Sequence, residues 1–252
     1  MKLRVLLSEW PDNPYLNVAL DEALLLKQKD GAILRIWRND KTVVLGILSA
    51  IKNEVNLDFI EKEKIKLVRR ISGGGTVFHD LGNINYTIIV VRPDDELTGI
   101  DYLYDKLLRG TINSIESLIN DKIEVYNKTD LTFKGYKISG NAGYIHEERY
   151  MLHGTLLISS NLELMYKALI IPPKNYKKNN VNMIKYRVNN LSNLINKKIT
   201  YQNVIEALTQ NFLDLLGYES YYFDVPTNEE LELAVKLTNE KYSRREFIYR
   251  RL

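Results

Sequence analysis

Cysteine is absent from the 252 residues. Its absence excludes disulfide scaffolds, thiolate metal sites and every mechanism that attacks with a cysteine nucleophile. Histidine is scarce: His79, His146 and His153 are all there are, and their scatter lacks the close ligand spacing of a zinc site. No metal ligand set is therefore assigned. No apolar run reaches the ~18–20 residues of a membrane span, and the stretch after Met1 is too short for a signal peptide. The chain is expected to be cytoplasmic, with no membrane partner. An excess of one charge is missing too. Lys and Arg number 35 against 32 Asp and Glu, a net +3, whereas an obligate nucleic-acid binder carries a stronger basic stripe. Tyr136-Lys137 and Tyr176-Lys177-Lys178 interleave aromatic and basic residues, yet strand packing accounts for such tyrosines equally well. No nucleic-acid partner is expected.

What is present reads as a folded enzyme-sized body. Hydrophobic residues make up 45% and charged residues 27%, which excludes disordered and low-complexity classes. Leu3–Leu7 reads as a strand. Asn13 and Pro14 read as N-cap and first turn of a helix to about Lys29, with Leu16, Leu20, Ala23 and Leu24 at helical spacing. Ile33–Trp37 and Thr42–Leu45 read as strands joined at Asn39-Asp40 in a hairpin. A short helix over Leu57–Lys64 and a strand over Lys66–Arg70 follow. Asn85–Val91 is a β-rich run and Thr98–Asn120 a long helix weakened at Gly110. Short strands are expected at 123–126, 131–133, 136–139, 143–145 and 151–158. The chain then reads as helical over Thr200–Leu216 and Thr227–Lys241, the second opened by a Thr227/Glu230 capping box. Adjacent strand runs between separated helices predict a mixed, mainly antiparallel α+β fold. The Asn/Lys-rich segment 172–196 reads as a long surface loop with a short helical piece, with Lys177 and Lys178 as candidate lid charges or plain solvated residues.

The most informative segment runs from Arg69 to Asp80, RRISGGGTVFHD. Three consecutive glycines remove Cβ atoms, so a ligand can approach the main chain and N–H groups can converge on an anion. Arg69 and Arg70 add permanent cations suited to phosphate or carboxylate. The loop lies between two predicted strands, and both the GxxxxGK[ST] and GxGxxG patterns are absent. A hairpin loop flanked by surface arginines explains the same residues. A second segment, Gly135–Ala142 (GYKISGNA), sets Lys137 in a strand-like run bounded by glycines. A third, His153-Gly154-Thr155-Leu156, places a histidine at the start of a strand. Alone, Lys137 reads as an outward strand lysine and His153 as a packing histidine.

Taken in order, RRISGGGTVFHDLGNINYT, GYKISGNA and HGTLLIS resemble the lipoate-protein ligase A family, within the biotin/lipoate ligase superfamily. DNPYLNVALDEALL, YRVNNLSNLI and KYSRREFIYRRL extend the resemblance over nearly the whole chain. It implies a class II synthetase-like catalytic domain spanning residues 1–252. It also implies ATP-dependent conversion of lipoate to lipoyl-AMP and transfer of the lipoyl group to a carrier lysine. By the same resemblance Lys137 is the catalytic cation. Arg70, Gly73, Gly74, Gly75, Thr76, Val77 and Phe78 fall on ATP-contacting positions. Gly75, His79, Lys137, Ser139, Gly140, His153 and Gly154 fall on substrate-contacting ones. ATP with Mg²⁺ is implied as co-substrate, and acidic lipoyl domains, of 2-oxoacid dehydrogenase E2 or glycine-cleavage H type, as partners.

Two departures shape the alternatives. The stretch after Gly46, here Ile47-Leu48-Ser49-Ala50, is apolar and small where many members are polar. The small C-terminal domain of many ligases, about a hundred residues and within the ordinary domain range, is expected to be lacking. A lipoyl-AMP-dependent transferase with a separate accessory subunit is one alternative, and a non-catalytic lipoate- or lipoyl-domain-binding protein another. The octanoyl-transferase branch is excluded by the missing cysteine, and the Gly-Gly-Gly-Thr loop departs from the biotin-ligase pattern.

Overall fold

Period-two alternation in the segment Asn83–Val91 sets the architecture. Ile84, Tyr86, Ile88 and Val90 project to one face, and Asn85, Thr87 and Ile89 to the other. All nine residues are buried, so this strand lies inside a sheet covered on both sides. The protein is described here from a computed structural model, which covers residues 1–91, 93, 95–171 and 187–252, with the backbone of 175–178 and 181–184. The strands in chain order are β1 (Lys2–Leu6), β2 (Ala32–Trp37), β3 (Thr42–Leu45), β4 (Lys66–Arg69), β5 (Val77–His79), β6 (Asn83–Val91), β7 (Glu124–Tyr126), β8 (Asp130–Phe133), β9 (Tyr136–His146), β10 (Arg149–Leu157), β11 (Asn175–Lys178), β12 (Val181–Ile184) and β13 (Ser220–Asp224).

Eight strands form one sheet in the order β13-β1-β2-β6-β10-β9-β8-β7, three form a second, β4-β3-β5, and β11-β12 is a separate ladder. The pairs β13-β1, β1-β2 and β3-β4 are parallel and the others antiparallel. This is the mixed, mainly antiparallel α+β arrangement expected.

One face of the large sheet is covered by the helices Leu108–Ile119 and Tyr201–Leu216, which pack Ile112, Ile115, Leu208 and Phe212 beneath Tyr86, Ile88 and Leu152. Gly110 has a packing reason: a Cβ there would stand 2.5 Å from the Phe212 ring, so glycine lets the two helices meet. The other face is covered by the Pro14–Lys27 helix and the small sheet, which bring Leu20, Leu24, Val44 and Val68 against Ile33, Ile89 and Met151. The first helix begins as its sequence predicts, with the Asn13 side chain accepting from the Leu16 N–H and Pro14 in the first turn. The Thr227/Glu230 capping box is also formed. Among the described residues no helix is long and apolar enough to cross a membrane.

Three expectations are corrected. β2 and β3 do not form a hairpin; they belong to different sheets. Asn39 is fully buried between them and its amide bonds to Asn17 and His79, so the connection crosses between layers instead of turning back. The predicted strands 136–139 and 143–145 are one strand, β9, because Gly140 and Gly143 sit within the ladder to β10. The segment 172–196 is not loop throughout: it contains the ladder β11-β12, besides the expected short helical piece, which lies at Leu191–Ile195. The side chains of Lys177 and Lys178 lie outside the described residues.

Candidate active site

Strand register builds the floor of the site. Arg35 on β2 is level with Thr87 on β6, His153 on β10 and Ala142 on β9; Trp37, Asn85, Thr155 and Gly140 form the next row. Residues level across neighbouring strands share a face, so these rows present one polar surface inside an otherwise apolar sheet. The first helix and the glycine loop between β4 and β5 lie over it. Between them is a cavity of about 180 Å³, whose apolar walls include Val18, Trp37, Val44, Ile71 and Met151.

A buried ion pair anchors this floor. Arg35 Nη1 donates to Asp21 Oδ1 at 2.6 Å, and neither residue exceeds 5% side-chain exposure. Asp21 also accepts from Thr87 Oγ1 at 2.8 Å and faces His153 Nδ1 at 3.6 Å. Burial opposes ionisation of Asp21, but Arg35 and these neighbours outweigh it and hold the carboxyl below its ordinary range. His153 Nε2 is 2.5 Å from Ser72 Oγ, which in turn accepts from Arg70 Nε at 2.9 Å. The order Asp21–His153–Ser72 mimics a nucleophilic triad in outline. Ser72 is nevertheless fully buried and tied to Arg70, so it links the floor to the loop and does not face a substrate. Burial lowers the pKa of His153 despite Asp21, and burial, followed by Arg70, pushes His79 down to about 3. Both imidazoles are neutral at pH 7.

Arg70 holds the glycine loop. Its Nη2 donates to the Gly73 and Gly75 carbonyls at 2.5 and 3.0 Å, and Nη1 to Val44 O. Burial pushes this guanidinium down to about 10, so it stays charged. Gly74 has φ +87°, and a Cβ on Gly46 would meet the Gly74 carbonyl oxygen at 2.4 Å; both positions require glycine. The loop N–H groups do not all converge on open space as expected. Thr76 donates through both N–H and Oγ1 to Glu54 Oε2, at 2.9 and 2.7 Å. Ser49 donates to the same oxygen. The stretch after Gly46 is thus held through Ser49, Glu54 and Arg69, whose Nη1 donates to the Gly46 and Ser49 carbonyls.

A second, outer cavity of about 690 Å³ adjoins the first. Thr76, Val77, Lys137, Gly140 and Thr155 line both. Lys137 therefore stands at the seam, with its Nζ 2.5 Å from Asp130 Oδ1. The outer cavity adds Phe78, Tyr136, Tyr166 and Arg187.

Of the residues singled out by sequence, Arg70, Gly74, Gly75, Thr76, Val77, His79, Lys137, Gly140, His153 and Gly154 are brought together around the inner cavity. Phe78 lines the outer one. Gly73 and Ser139 line neither; Gly73 offers its carbonyl to Arg70, and Ser139 is buried beside Asn141. Arg69 is not a ligand-facing partner of Arg70: it is fully buried and bonds backbone carbonyls, including that of Ile248. Sequence reasoning missed Asp21, Arg35, Ser72, Glu54 and Asp130. A signal existed for the first two, a lone arginine inside the apolar run AILRIW and an aspartate one turn after Asn17 on the buried side of a helix.

The family model described as the lipoyl protein ligase A/B catalytic domain matches residues 13–213. Lipoate-protein ligase A subunit 1 of Thermoplasma acidophilum is 30% identical over 258 residues, covering 98% of this chain and 96% of that protein. Among solved structures, a bipartite lipoate protein ligase from the same organism, studied with its E2 lipoyl domain, superposes with a TM-score of 0.85 at 27% identity, covering 100% of this chain and 98% of that one. A lipoate-protein ligase A bound with ATP gives a TM-score of 0.85 at 29% identity and covers 100% of both chains.

Proposed function

From the premise that this chain belongs to the lipoyl protein ligase A/B catalytic domain family, we propose that it is the catalytic subunit of a lipoate–protein ligase. It joins lipoate to ATP and passes the lipoyl group to a lysine of a lipoyl domain. The observation that carries this reading is the position of Lys137, at the seam between a narrow inner cavity and a wider outer one. The inner cavity suits the acyl chain, whose burial is favourable by about 0.8 kcal/mol per CH₂. The outer one, beside the glycine loop, suits ATP. Lys137 then lies where the carboxylate meets the α-phosphate.

The chemistry is a displacement. A lipoate carboxylate oxygen attacks the α-phosphorus, the bond to the β-phosphate oxygen breaks, and pyrophosphate leaves. Two anions must approach in line, and a fixed cation aimed at the developing charge is the largest available aid. The carrier lysine amine then attacks the acyl carbon; AMP leaves and the amine gives up a proton. Mg²⁺ fits the donor set, because Asp130 offers hard carboxylate oxygens beside Lys137 and the ion normally takes one or two carboxylates with substrate phosphates. It would shield the phosphate charge. Ser72, Arg70 and Glu54 hold the loop and take no part in covalent chemistry.

The whole chain is read as one catalytic domain of a cytoplasmic enzyme. The name "subunit 1" of the Thermoplasma relative and the bipartite ligase from that organism support an accessory subunit as the partner in adenylation. The acceptor is an acidic lipoyl domain, of E2 or glycine-cleavage H type. The test is pyrophosphate release from ATP and Mg²⁺ with and without lipoate, followed by transfer to a lipoyl domain. Lipoate-dependent release by the chain alone establishes self-sufficient adenylation. Transfer from synthetic lipoyl-AMP without release identifies the accessory-dependent form. Failure of both refutes the reading.

A further inference from the structure

A buried relay that starts from Arg35 and the Trp10 backbone N–H, both donors to Asn17 Oδ1, sets which nitrogen of a cavity-lining histidine carries its proton. Arg35 has only N–H donors. Its Nη2 donates to the Asn17 side-chain oxygen at 2.7 Å, which fixes the Asn17 amide. Asn17 Nδ2 must then donate, and it does so to Asn39 Oδ1 at 2.8 Å. Asn39 Nδ2 is in turn the end that faces His79 Nδ1, at 3.2 Å. A donor facing Nδ1 requires that nitrogen to be bare, so the neutral ring carries its proton on Nε2. Asn17 and Asn39 are fully buried and His79 is 4% exposed, so water does not scramble this order.

Among the described residues, His79 Nε2 has no hydrogen-bond partner. Its ring lines the inner cavity. Asn85, 2% exposed, lines the same cavity, and among the described residues its side-chain nitrogen is also without a partner. Buried N–H groups are rarely left unmade, and one on a cavity wall points to a ligand acceptor. The location narrows the acceptor. His79, Asn85, Trp37, Val18 and Met151 line the inner cavity and not the outer one, whereas Lys137 lines both. With the carboxylate at Lys137, His79 lies at the deep part, where the far end of the acyl chain comes to rest.

We infer that His79 is a specificity-determining residue whose Nε2–H donates to a sulfur of the dithiolane ring, so that the pocket favours lipoate over the sulfur-free eight-carbon acid. This rests on the ligase reading above. Sulfur is a weak acceptor, but a saturated chain end offers none, and octanoate would leave the buried N–H unpaired.

The test is calorimetric titration of the chain with lipoate and with octanoate, combined with ¹⁵N spectra of imidazole-labelled protein, in which only three histidines need assignment. Lipoate is expected to bind about tenfold more tightly, the scale of one buried hydrogen bond. The His79 ring is expected to show a bare Nδ1 and a protonated Nε2, whose signal moves with lipoate and not with octanoate. His79→Phe keeps an aromatic ring beside Trp37 and is expected to lower lipoate affinity more than octanoate affinity. Equal affinities in the natural protein, a proton on Nδ1, or an unchanged preference in His79→Phe overturns the inference and leaves the ligase reading standing. The titration and spectra decide even where the variant fails to fold. Binding of neither acid overturns the ligase reading, and this inference with it.

Discussion

Lys137, which lines both cavities, faces Asp130 of the inner one across β9 and β8, ammonium to carboxylate at 2.5 Å. The cation is thereby held near the point where phosphate and acyl carboxylate are to meet, and its charge is balanced until they arrive.

Replacing Lys137 with Ala is expected to lower lipoate-dependent pyrophosphate release by a factor of about 100 or more, as loss of a preorganised charge at a reacting centre does. The side chains are partly exposed, 21% and 15%, so the pair contributes about 1 kcal/mol or less to folding. A thermal melt close to that of the natural protein, with activity lost, is the expected combination. A normal rate in Lys137→Ala removes its central role.

The glycines give a contrast. Gly46→Ala drives a Cβ against the Gly74 carbonyl, whereas a Cβ on Gly73 meets nothing within 4 Å. Gly46→Ala is expected to cost about 1–3 kcal/mol, as overpacking does, and to weaken ATP binding by displacing the loop. Gly73→Ala is expected to unfold at nearly the natural urea midpoint. Gly74→Val, at φ +87° and 2.8 Å from Arg70 Nη2, is expected to abolish ATP binding. Urea titration and nucleotide calorimetry distinguish the three.

Arg35→Met leaves Asp21 as a buried carboxylate without its guanidinium. Breaking such a pair costs about 3–5 kcal/mol, and denaturant unfolding is the measurement. A loss below about 1 kcal/mol, the scale of an exposed pair, would show that Thr87 and His153 suffice to hold Asp21.

Stability is expected to fall as the solution is acidified below pH 6.5. His79 is held neutral by burial, with its pKa lowered from 6.5 to about 3, and His153 is shifted in the same direction. The unfolded chain takes up these protons from 6.5 downward while the folded chain does not, so ΔG of unfolding rises with pH across that window. The His79 contribution is complete above 6.5 and is lost progressively toward pH 3, and that of His153 has the same sign. Each fully neutral site adds a slope of about 1.4 kcal/mol per pH unit. Urea midpoints at pH 7.0, 6.0 and 5.0 measure it. A flat series would mean that the imidazoles protonate in the folded state.

The longer helices and most strands were legible because their signals are local: Asn13-Pro14 starts a helix, NYTIIVV alternates, and Thr227 and Glu230 cap each other; the short helices Ile51–Glu54, Leu162–Ala168 and Arg245–Ile248 were not. The glycine loop was legible as a pattern of residue types, whereas Lys137, which alone reads as an outward strand lysine, drew notice only through the family resemblance of its segment GYKISGNA. The connection Arg38–Lys41 was misread because its turn-forming residues serve a buried amide network that joins Asn17, Asn39 and His79. Asp130 was missed because its meaning comes only from β8 lying beside β9. Arg35 and Asp21 are 14 positions apart, and only the stacking of the first helix on the large sheet brings them together.

Lys2 lies level with Ser220 in the parallel pairing of β1 with β13, and Arg4 completes its ion pairs with Asp224 and Glu230. β1 must therefore wait for on the order of 200 further residues to be synthesised before its outer edge is covered. Pairings of such sequence separation carry a large loop-closure cost and form late. A nascent chain halted before residue 220 presents the open edge of β1 and an unmatched Arg4, which makes this margin of the sheet the place where premature association between growing chains begins.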